Sequence, residues 1–406
     1  MSTNAPGAAL AAPGGGITTT VAPAPARHDR LLSLDVFRGL TIAAMLLVNN
    51  PGSWGAIYPP LAHAAWHGWT PTDLIFPFFL FIVGVTTHLS LSSRRARGAS
   101  DGAIIRQILK RGGVILLLGL LLAAFPFYWP PTWDLDRLLG LRIPGVLQRI
   151  AVVYVAAALI TLRTTLKEQV AMLAALLLGY WFLMTLVPVP GRGIGALLLS
   201  DSSANLAAYV DRLLLGEHLW SESGTWDPEG ILSTIPAIGT TLLGYFAGRW
   251  IATPRPLAER VAALFAVGSI GMVVGQMWGW VFPINKNLWT SSYVVFTAGM
   301  ACTAIGTCMW LIDQHRITWW TKPFVIFGMN PILAFVGSGL LARLIYSVIR
   351  VQYHGETVSL QSAMYRSFFA SWLEPRNASL AFAVLTVTLW LGALALLYRR
   401  GIFLKV

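Results

Sequence analysis

Residues 34–84 read LDVFRGLTIAAMLLVNNPGSWGAIYPPLAHAAWHGWTPTDLIFPFFLFIVG and carry the strongest signals in the chain. Two apolar runs flank a short loop, and this pattern predicts two membrane-spanning helices joined by that loop. The loop holds His63 and His67, the first run closes at Asn49, and the second opens at Asp73. Ionisable side chains at a membrane helix end are candidates for function, because their burial in lipid is costly. We therefore expect this hairpin to carry chemistry or transport.

The composition of the whole chain also indicates a membrane protein. Its 406 residues are 56% hydrophobic and 11% charged, whereas about 25% of a typical soluble domain is charged. The net charge of +12 is spread over loops, as cytoplasmic loops of membrane proteins require, so we expect no nucleic-acid partner. Cys302 and Cys308, the two cysteines, lie in one apolar run, so the sequence indicates no disulfide framework or cysteine metal site.

Recurring apolar runs of about 20 residues predict an all-α polytopic membrane protein with about ten transmembrane helices. The predicted spans lie near 34–50, 72–91, 112–128, 144–162, 168–187, 231–252, 260–281, 290–312, 323–349 and 380–398. Segment 361–373 is too short and polar to span, so we expect an interfacial helix or a re-entrant piece there. Residues 1–29 are expected to be a disordered cytoplasmic tail, and residues 30–406 to form one transmembrane domain.

The basic loops predict the orientation of these helices. The loop between the second and third spans contains Arg94, Arg95, Arg97, Arg106, Lys110 and Arg111. An excess of Lys and Arg marks cytoplasmic loops, so both termini should be cytoplasmic. The loops after the first, third, fifth, seventh and ninth helices are then external, and the His63 loop is one of them.

Polar side chains gather near helix ends on the predicted outer side. They are Asn49, His63, His67, Asp73, Arg149, Asp227, Glu229, Asn285, Lys286, Asn287 and Arg343. Histidine titrates near neutral pH and can act as a general base or accept an acyl group. A nearby carboxylate would hold its tautomer, and an asparagine amide can donate to a developing oxyanion. These are the parts that acyl transfer needs.

Several members of this set also have purely structural interpretations. Asp73 suits the start of any helix, with Thr70 or Thr72 as the cap. Arg149 and Arg343 could be internal partners of the carboxylates. Aromatic residues of the loop fit an interfacial belt; they are Trp54, Tyr58, Trp66 and Trp69.

A metal site at the histidine loop is the weaker alternative. His63 and His67 are four residues apart, which suits metal ligation from one helix face. Gly68 and Pro71 follow them directly, and this composition indicates a loop instead. We expect no metal cofactor.

At this hairpin the chain resembles a known family. SLDVFRGLTIAAMLLVNN (33–50) followed by HAAWHGWTPTDLIFPFFLFIVG (63–84) is similar to the membrane domain of the heparan-alpha-glucosaminide N-acetyltransferase family. Further matches follow in order: LRIPGVLQRIAVVY (141–154), DPEGILSTIPAIGTTLLGYFAG (227–248), PINKNLWTSSYV (283–294) and FGMNPILAFVG (327–337). The resemblance therefore extends from about residue 30 to the C-terminus.

The resemblance implies an acetyltransferase that uses acetyl-CoA as co-substrate. Lysosomal members carry the acetyl group to the terminal glucosamine amine of heparan sulfate in the lumen. By the motif match, His63 is the active histidine, Asn49 the asparagine that closes helix one, and Asp73 the aspartate of DLxFP. His67 stands where the lysosomal motif usually has asparagine, which leaves its role open.

Our first hypothesis is therefore an acetyltransferase of the bacterial inner membrane, acting on glucosamine or a glucosaminide at the external face. Asp227 and Glu229 would hold the cationic amine, with Asn285 and Asn287 on sugar hydroxyls. Basic residues would bind the phosphates of coenzyme A; the candidates are Arg38, Arg149 and Lys286. The alternative is a transporter of N-acetylglucosamine or a related cell-wall sugar. A homodimer, the acceptor sugar and the choice between ping-pong and direct transfer stay open.

Overall fold

The computed structural model describes residues 31–127 and 139–404, so the predicted tail at residues 1–29 lies outside the described residues. Within the described ranges the chain is mostly helical and contains very little sheet. The helices are α1 Leu32–Asn49, α2 Ile75–Ala96, α3 Asp101–Ala124, α4 Val146–Arg163, α5 Leu166–Leu186, α6 Leu206–Leu215, α7 Ile231–Ile251, α8 Leu257–Trp278, α9 Ser291–Cys308, α10 Lys322–Met329, α11 Pro331–Arg343, α12 Leu360–Phe368 and α13 Pro375–Arg399. Two antiparallel hairpins pair β1 Pro188–Val189 with β2 Gly193–Ile194, and β3 Arg350–Tyr353 with β4 Glu356–Ser359.

Ten helical segments of the described chain are long and apolar enough to cross a membrane. They contain α1 to α5, α7 to α9, α11 and α13, and each corresponds to one predicted span. The prediction of an all-α polytopic membrane protein is therefore confirmed. The short segment near 361–373 forms α12, a helix too short to be among the spans.

The ninth predicted span, 323–349, is not one continuous helix. It breaks between α10 and α11 at Asn330, whose backbone has φ −129° and ψ 54°. Pro331 follows, and a proline disfavours helical geometry in the residue before it. The buried Asn330 side chain accepts a hydrogen bond from Leu404 N (2.8 Å) and donates to Ile402 O (3.2 Å). The candidate span accordingly begins at Pro331 and ends at Val348.

Two glycines bring α2 and α7 into direct backbone contact. A Cβ on Gly84 would lie 2.0 Å from Thr241 O, and one on Gly244 would lie 2.1 Å from Phe81 O. Only glycine therefore fits at either position, as at other close helix contacts in membranes. Because Phe81 lies against Gly244 and Val85 against Gly248, α2 and α7 run parallel and begin at the same end of the bundle.

Loops that are distant in sequence meet at that same end of the bundle. Gly68 N donates to Ile284 O (2.8 Å), which joins the histidine loop to the segment before α9. Trp66 Nε1 donates to Leu199 O (2.9 Å), which joins it to the segment between α5 and α7. The His63 loop is thus enclosed by two other connections that the topology prediction also placed on its side.

Candidate active site

His63 and Asp73 form a close pair within the loop between α1 and α2. The His63 Nδ1 atom is 2.6 Å from Asp73 Oδ1, and the Asp73 side chain is 1% exposed. The other oxygen, Oδ2, accepts hydrogen bonds from Ala64 N (3.0 Å) and Thr70 N (2.9 Å). Asp73 lies in the 3-10 helix Pro71–Leu74 that leads into α2. The carboxylate therefore closes the loop as a helix-capping residue and also holds the histidine, so the two interpretations of Asp73 are compatible.

This pairing selects one tautomer of His63. An ionised carboxylate only accepts hydrogen bonds, so Nδ1 carries the proton and Nε2 keeps its lone pair. The imidazole is 47% exposed, and it lines a cavity with a volume of about 100 Å³. An imidazole that is held in place beside a cavity and keeps the Nε2 lone pair can accept a proton or attack a carbonyl carbon.

The cavity is a mostly apolar space with a few polar side chains. Its apolar walls come from α1, α2, α4 and α11. The polar side chains that line it are Asn49, His63, Thr72, Glu229 and Lys286. Four of these were predicted site residues, and they come from separate parts of the chain. The Thr72 hydroxyl donates a hydrogen bond to Pro60 O (3.1 Å), so it stabilises the loop between α1 and α2.

Lys286 reaches His63 from the segment before α9. Its Nζ atom is 3.3 Å from His63 Nε2 and 3.5 Å from Nδ1. Burial lowers the pKa of the Lys286 amine, although Glu229 and Asp73 act in the opposite direction. The side chain of Asn285, which precedes Lys286 in sequence, has hydrogen-bond partners other than His63. Its amide donates to His67 Nδ1 (3.3 Å) and its oxygen accepts from a backbone N–H of the same loop.

The carboxylates Asp227 and Glu229 are held by an arginine to which sequence reasoning assigned no role. Arg142 donates from Nε and Nη2 to the two oxygens of Asp227 (2.7 and 2.6 Å), and from Nη2 to Glu229 Oε2 (2.6 Å). Only Glu229 of these two carboxylates lines the cavity. Arg142 lies in the LRIPG motif. The signal that could have identified it is the pair of predicted outer-side carboxylates, Asp227 and Glu229, since buried carboxylates require a cationic partner.

Arg149 is a buried structural link between α4 and α7. Its side chain donates to Gly230 O (3.2 Å) and to Ser233 Oγ. Its guanidinium carbon lies 5.1 Å from the ring centre of Trp289, a cation–π contact. Arg149 does not line the cavity, and in the described residues it forms no ion pair with Asp73 or Glu229.

The remaining candidates lie away from the cavity. Arg38 pairs with Asp35 at 2.5 Å and is separated from Asn49 by most of α1, a rise of about 16 Å at 1.5 Å per residue. His67 approaches Ser200 Oγ with Nε2 (3.2 Å), and burial lowers its pKa. Asn287 is partly buried and does not line the cavity. Across residues 31–127 and 139–404, no cluster of His, Cys, Asp or Glu is placed to hold a metal ion.

Comparison with known proteins bears on this geometry. Residues 30–277 match a family model described as "Heparan-alpha-glucosaminide N-acetyltransferase, catalytic". A human protein named heparan-alpha-glucosaminide N-acetyltransferase is 29% identical over 432 residues, covering 93% of this chain and 60% of the relative. The mouse protein of the same name is 32% identical over 363 residues, covering 77% of this chain and 54% of the relative. The chain thus spans little more than half the length of these relatives.

Proposed function

Because this chain belongs to the heparan-alpha-glucosaminide N-acetyltransferase family, we propose that it is a multi-pass membrane acetyltransferase. It moves an acetyl group from acetyl-CoA to the amine of glucosamine or a glucosaminide. One observation carries the proposal: His63 is held by the buried Asp73 and faces a cavity that Asn49 also lines. The names of the relatives favour this function over the transporter alternative.

In the proposed reaction His63 is the reacting base or nucleophile. Its Nε2 either takes a proton from the acceptor amine or attacks the thioester carbon and carries the acetyl group. Asp73 holds the ring and stabilises the imidazolium that either route forms. Asn49 ends α1 at the cavity wall, where its amide can donate to the oxyanion of the tetrahedral intermediate.

Glu229 is the better of the two candidates for binding the acceptor amine. Asp227 is 3% exposed, and both of its oxygens are bound by Arg142. Glu229 accepts from Arg142 with Oε2 alone and faces the cavity, so it can also approach a cationic ammonium group. Asn285 and Asn287 do not line the cavity. They could contact only those sugar hydroxyls of the acceptor that remain outside the cavity.

We assign the acetyl and thioester part of the donor to the apolar portion of the cavity. Coenzyme A carries its phosphates at the far end of the pantetheine arm, and Arg38 at the other end of α1 is a candidate to bind them. With both termini cytoplasmic, His63 would act at the external face of a bacterial inner membrane, while Arg38 would face the compartment where acetyl-CoA is made. This arrangement gives transfer across the membrane a direction.

The test is acetyl transfer from radiolabelled acetyl-CoA to glucosamine by the purified, detergent-solubilised protein. We expect labelled N-acetylglucosamine from the wild type and none above background from His63→Ala. The matched control is His67→Asn, which replaces a histidine four residues away that does not line the cavity. It should keep most of the activity.

Two results would contradict the proposal. Residual activity of His63→Ala above a few per cent of wild type would remove His63 from the reaction. A wild type that neither binds nor consumes acetyl-CoA, but accumulates sugar in sealed vesicles, would establish the transporter alternative. If the protein hydrolyses acetyl-CoA in a His63-dependent way but forms no N-acetylglucosamine, glucosamine is the wrong acceptor. The role of His63 in acetyl transfer would then stand, and other acceptors would be tested.

A further inference from the structure

Lys286 occupies a position that an anchor for coenzyme A phosphates does not explain. Its Nζ atom lies within 3.5 Å of both ring nitrogens of His63, and its side chain lines the cavity. In coenzyme A the whole pantetheine arm separates the thioester from the phosphates. If Nε2 meets the acetyl group, a group 3.3 Å from Nε2 lies beside the thioester and cannot also bind the phosphates.

The amine of Lys286 has hydrogens available for a ligand. None of the carboxylates in the described part of the chain lies within ion-pair distance of it, and its polar contacts there are with the ring nitrogens of His63. An ammonium group has three donors. Because Nζ is nearly equidistant from the two ring nitrogens, it lies beside the imidazole and is not aligned with the Nε2 lone pair. It can therefore donate to a carbonyl oxygen whose carbon lies beside Nε2.

The surroundings of Lys286 act on its ammonium form in opposite directions. Burial opposes the ammonium form and lowers its pKa; Glu229 and Asp73 act against this effect, whereas Arg149 and Arg142 add to it. Both carboxylates already bind other partners. A partly desolvated cation interacts with a new negative charge more strongly than it would in water, because the local dielectric constant is low.

We propose that Lys286 is a catalytic residue that donates a hydrogen bond to the carbonyl oxygen of the acetyl thioester as negative charge develops on it, with Asn49 as the second donor. The inference rests on the proposed acetyltransferase function. The attacking nitrogen, either the amine or His63 Nε2, bonds to the carbonyl carbon, and the C=O π pair moves to oxygen. When that pair returns, the C–S bond breaks and coenzyme A leaves as the thiolate. When the amine attacks directly, the proton that it loses ends on Nε2. When Nε2 attacks first, the amine then attacks the acetyl carbon of the acetyl-imidazole, the bond between that carbon and Nε2 breaks, and the freed Nε2 takes the proton of the amine.

The deciding experiment compares two donors, acetyl-CoA and S-acetylpantetheine, which carries the same thioester without the phosphates of coenzyme A. For Lys286→Met we expect kcat to fall by about 10²- to 10³-fold with both donors, the usual effect of removing one oxyanion donor. KM for acetyl-CoA and the affinity for coenzyme A should change by no more than a few-fold. The matched control is Lys167→Met, which removes an exposed lysine at the start of α5 and should leave both reactions unchanged.

The opposite pattern would overturn the proposal. If Lys286→Met raises KM for acetyl-CoA and leaves the reaction of S-acetylpantetheine intact, Lys286 is a phosphate anchor. If it matches wild type with both donors, it has no role in transfer. A wild type that is inactive with both donors would instead overturn the proposed function itself.

Lys286→Arg keeps the test decisive if Lys286→Met does not fold. Arginine retains its charge at high pH, whereas the pKa of Lys286 is lowered from its usual 10.5 by burial. An ammonium that must be charged loses activity as the pH rises through this lowered pKa. Replacement by arginine should retain part of kcat and move the alkaline limb of the kcat profile to higher pH. An alkaline limb that does not move would contradict the assignment.

Discussion

The substitution Asp73→Asn separates the two tasks of the aspartate at the candidate site. In the wild type Oδ1 accepts from His63 Nδ1, and Oδ2 accepts from Ala64 N and Thr70 N. Asparagine has the same size but only one oxygen. If that oxygen faces the two backbone N–H groups, the NH2 group points at His63 Nδ1, and the ring must carry its proton on Nε2. If the amide is turned around, two partly buried backbone donors lose their acceptor.

The first orientation is the one to expect, because an unsatisfied buried donor costs about 1–3 kcal/mol and the other orientation leaves two. On the proposed mechanism, a proton on Nε2 removes the lone pair that reacts. An aspartate-to-asparagine change that reverses a catalytic histidine's tautomer lowers the rate by about 10⁴-fold. This corresponds to about 5.5 kcal/mol of activation free energy. The fold should lose only about 1–2 kcal/mol, since the helix start keeps a neutral acceptor.

The assay is kcat for acetyl transfer to glucosamine together with the melting temperature of the purified protein. The matched control is Asp201→Asn, an exposed aspartate in the segment between α5 and α7, for which kcat should not change. Asp73→Asn should remain folded while its kcat falls by three to four orders of magnitude, about 4–5.5 kcal/mol. A folded Asp73→Asn protein with kcat within tenfold of wild type would refute the argument from the tautomer.

Three further changes test the supports of the site. Arg142→Met leaves Asp227 and Glu229 without their cation and should lower the free energy of unfolding by about 3 kcal/mol. This is the lower end of the range for a broken buried ion pair, because Arg142 is 29% exposed. An unchanged melting temperature would contradict this prediction. Burial raises the pKa of Asp211 from 3.8 to about 6, so the native state binds the extra proton and this group lowers stability as the pH rises from about 4 to 6. The melting temperature of Asp211→Asn relative to wild type should therefore rise across that range, and a constant difference would argue against the assignment. Gly39→Ala would put a Cβ 1.7 Å from a backbone carbonyl oxygen of α10; such overpacking costs about 1–3 kcal/mol or more, so folded protein should be lost on size-exclusion chromatography.

The spans of this protein could be predicted because the signal is local. Each span needs about 20 apolar residues in a row, and the ten predicted runs are the ten candidate spans. The exception is instructive: the apolar run 323–349 contains Pro331, and the break at Asn330 is stabilised by hydrogen bonds to Ile402 and Leu404. Those residues are about 70 positions away in sequence, as the separations of 72 and 74 for the two bonds show.

The candidate site was predictable in part. Asn49, His63 and Asp73 lie within one hairpin, where residue type and spacing suffice to propose a histidine with a carboxylate and an amide donor. Asn285 was expected to bind sugar, but its neighbours are His67 and its own loop. An asparagine in a polar loop has the same sequence signal in either role, since only its partners differ.

The sequence by itself determined the membrane class, the number of spanning helices and the hairpin that carries the histidine, because hydrophobic length and residue type are properties of short stretches of chain. The tertiary structure decided which polar groups meet there. It brings Lys286 to His63, separates Glu229 from Asp227 at the cavity wall, and supplies Arg142 as their shared cation. These contacts depend on the backbone approach of α2 and α7 and on loops that pack together from distant parts of the chain, and no local pattern records such distances.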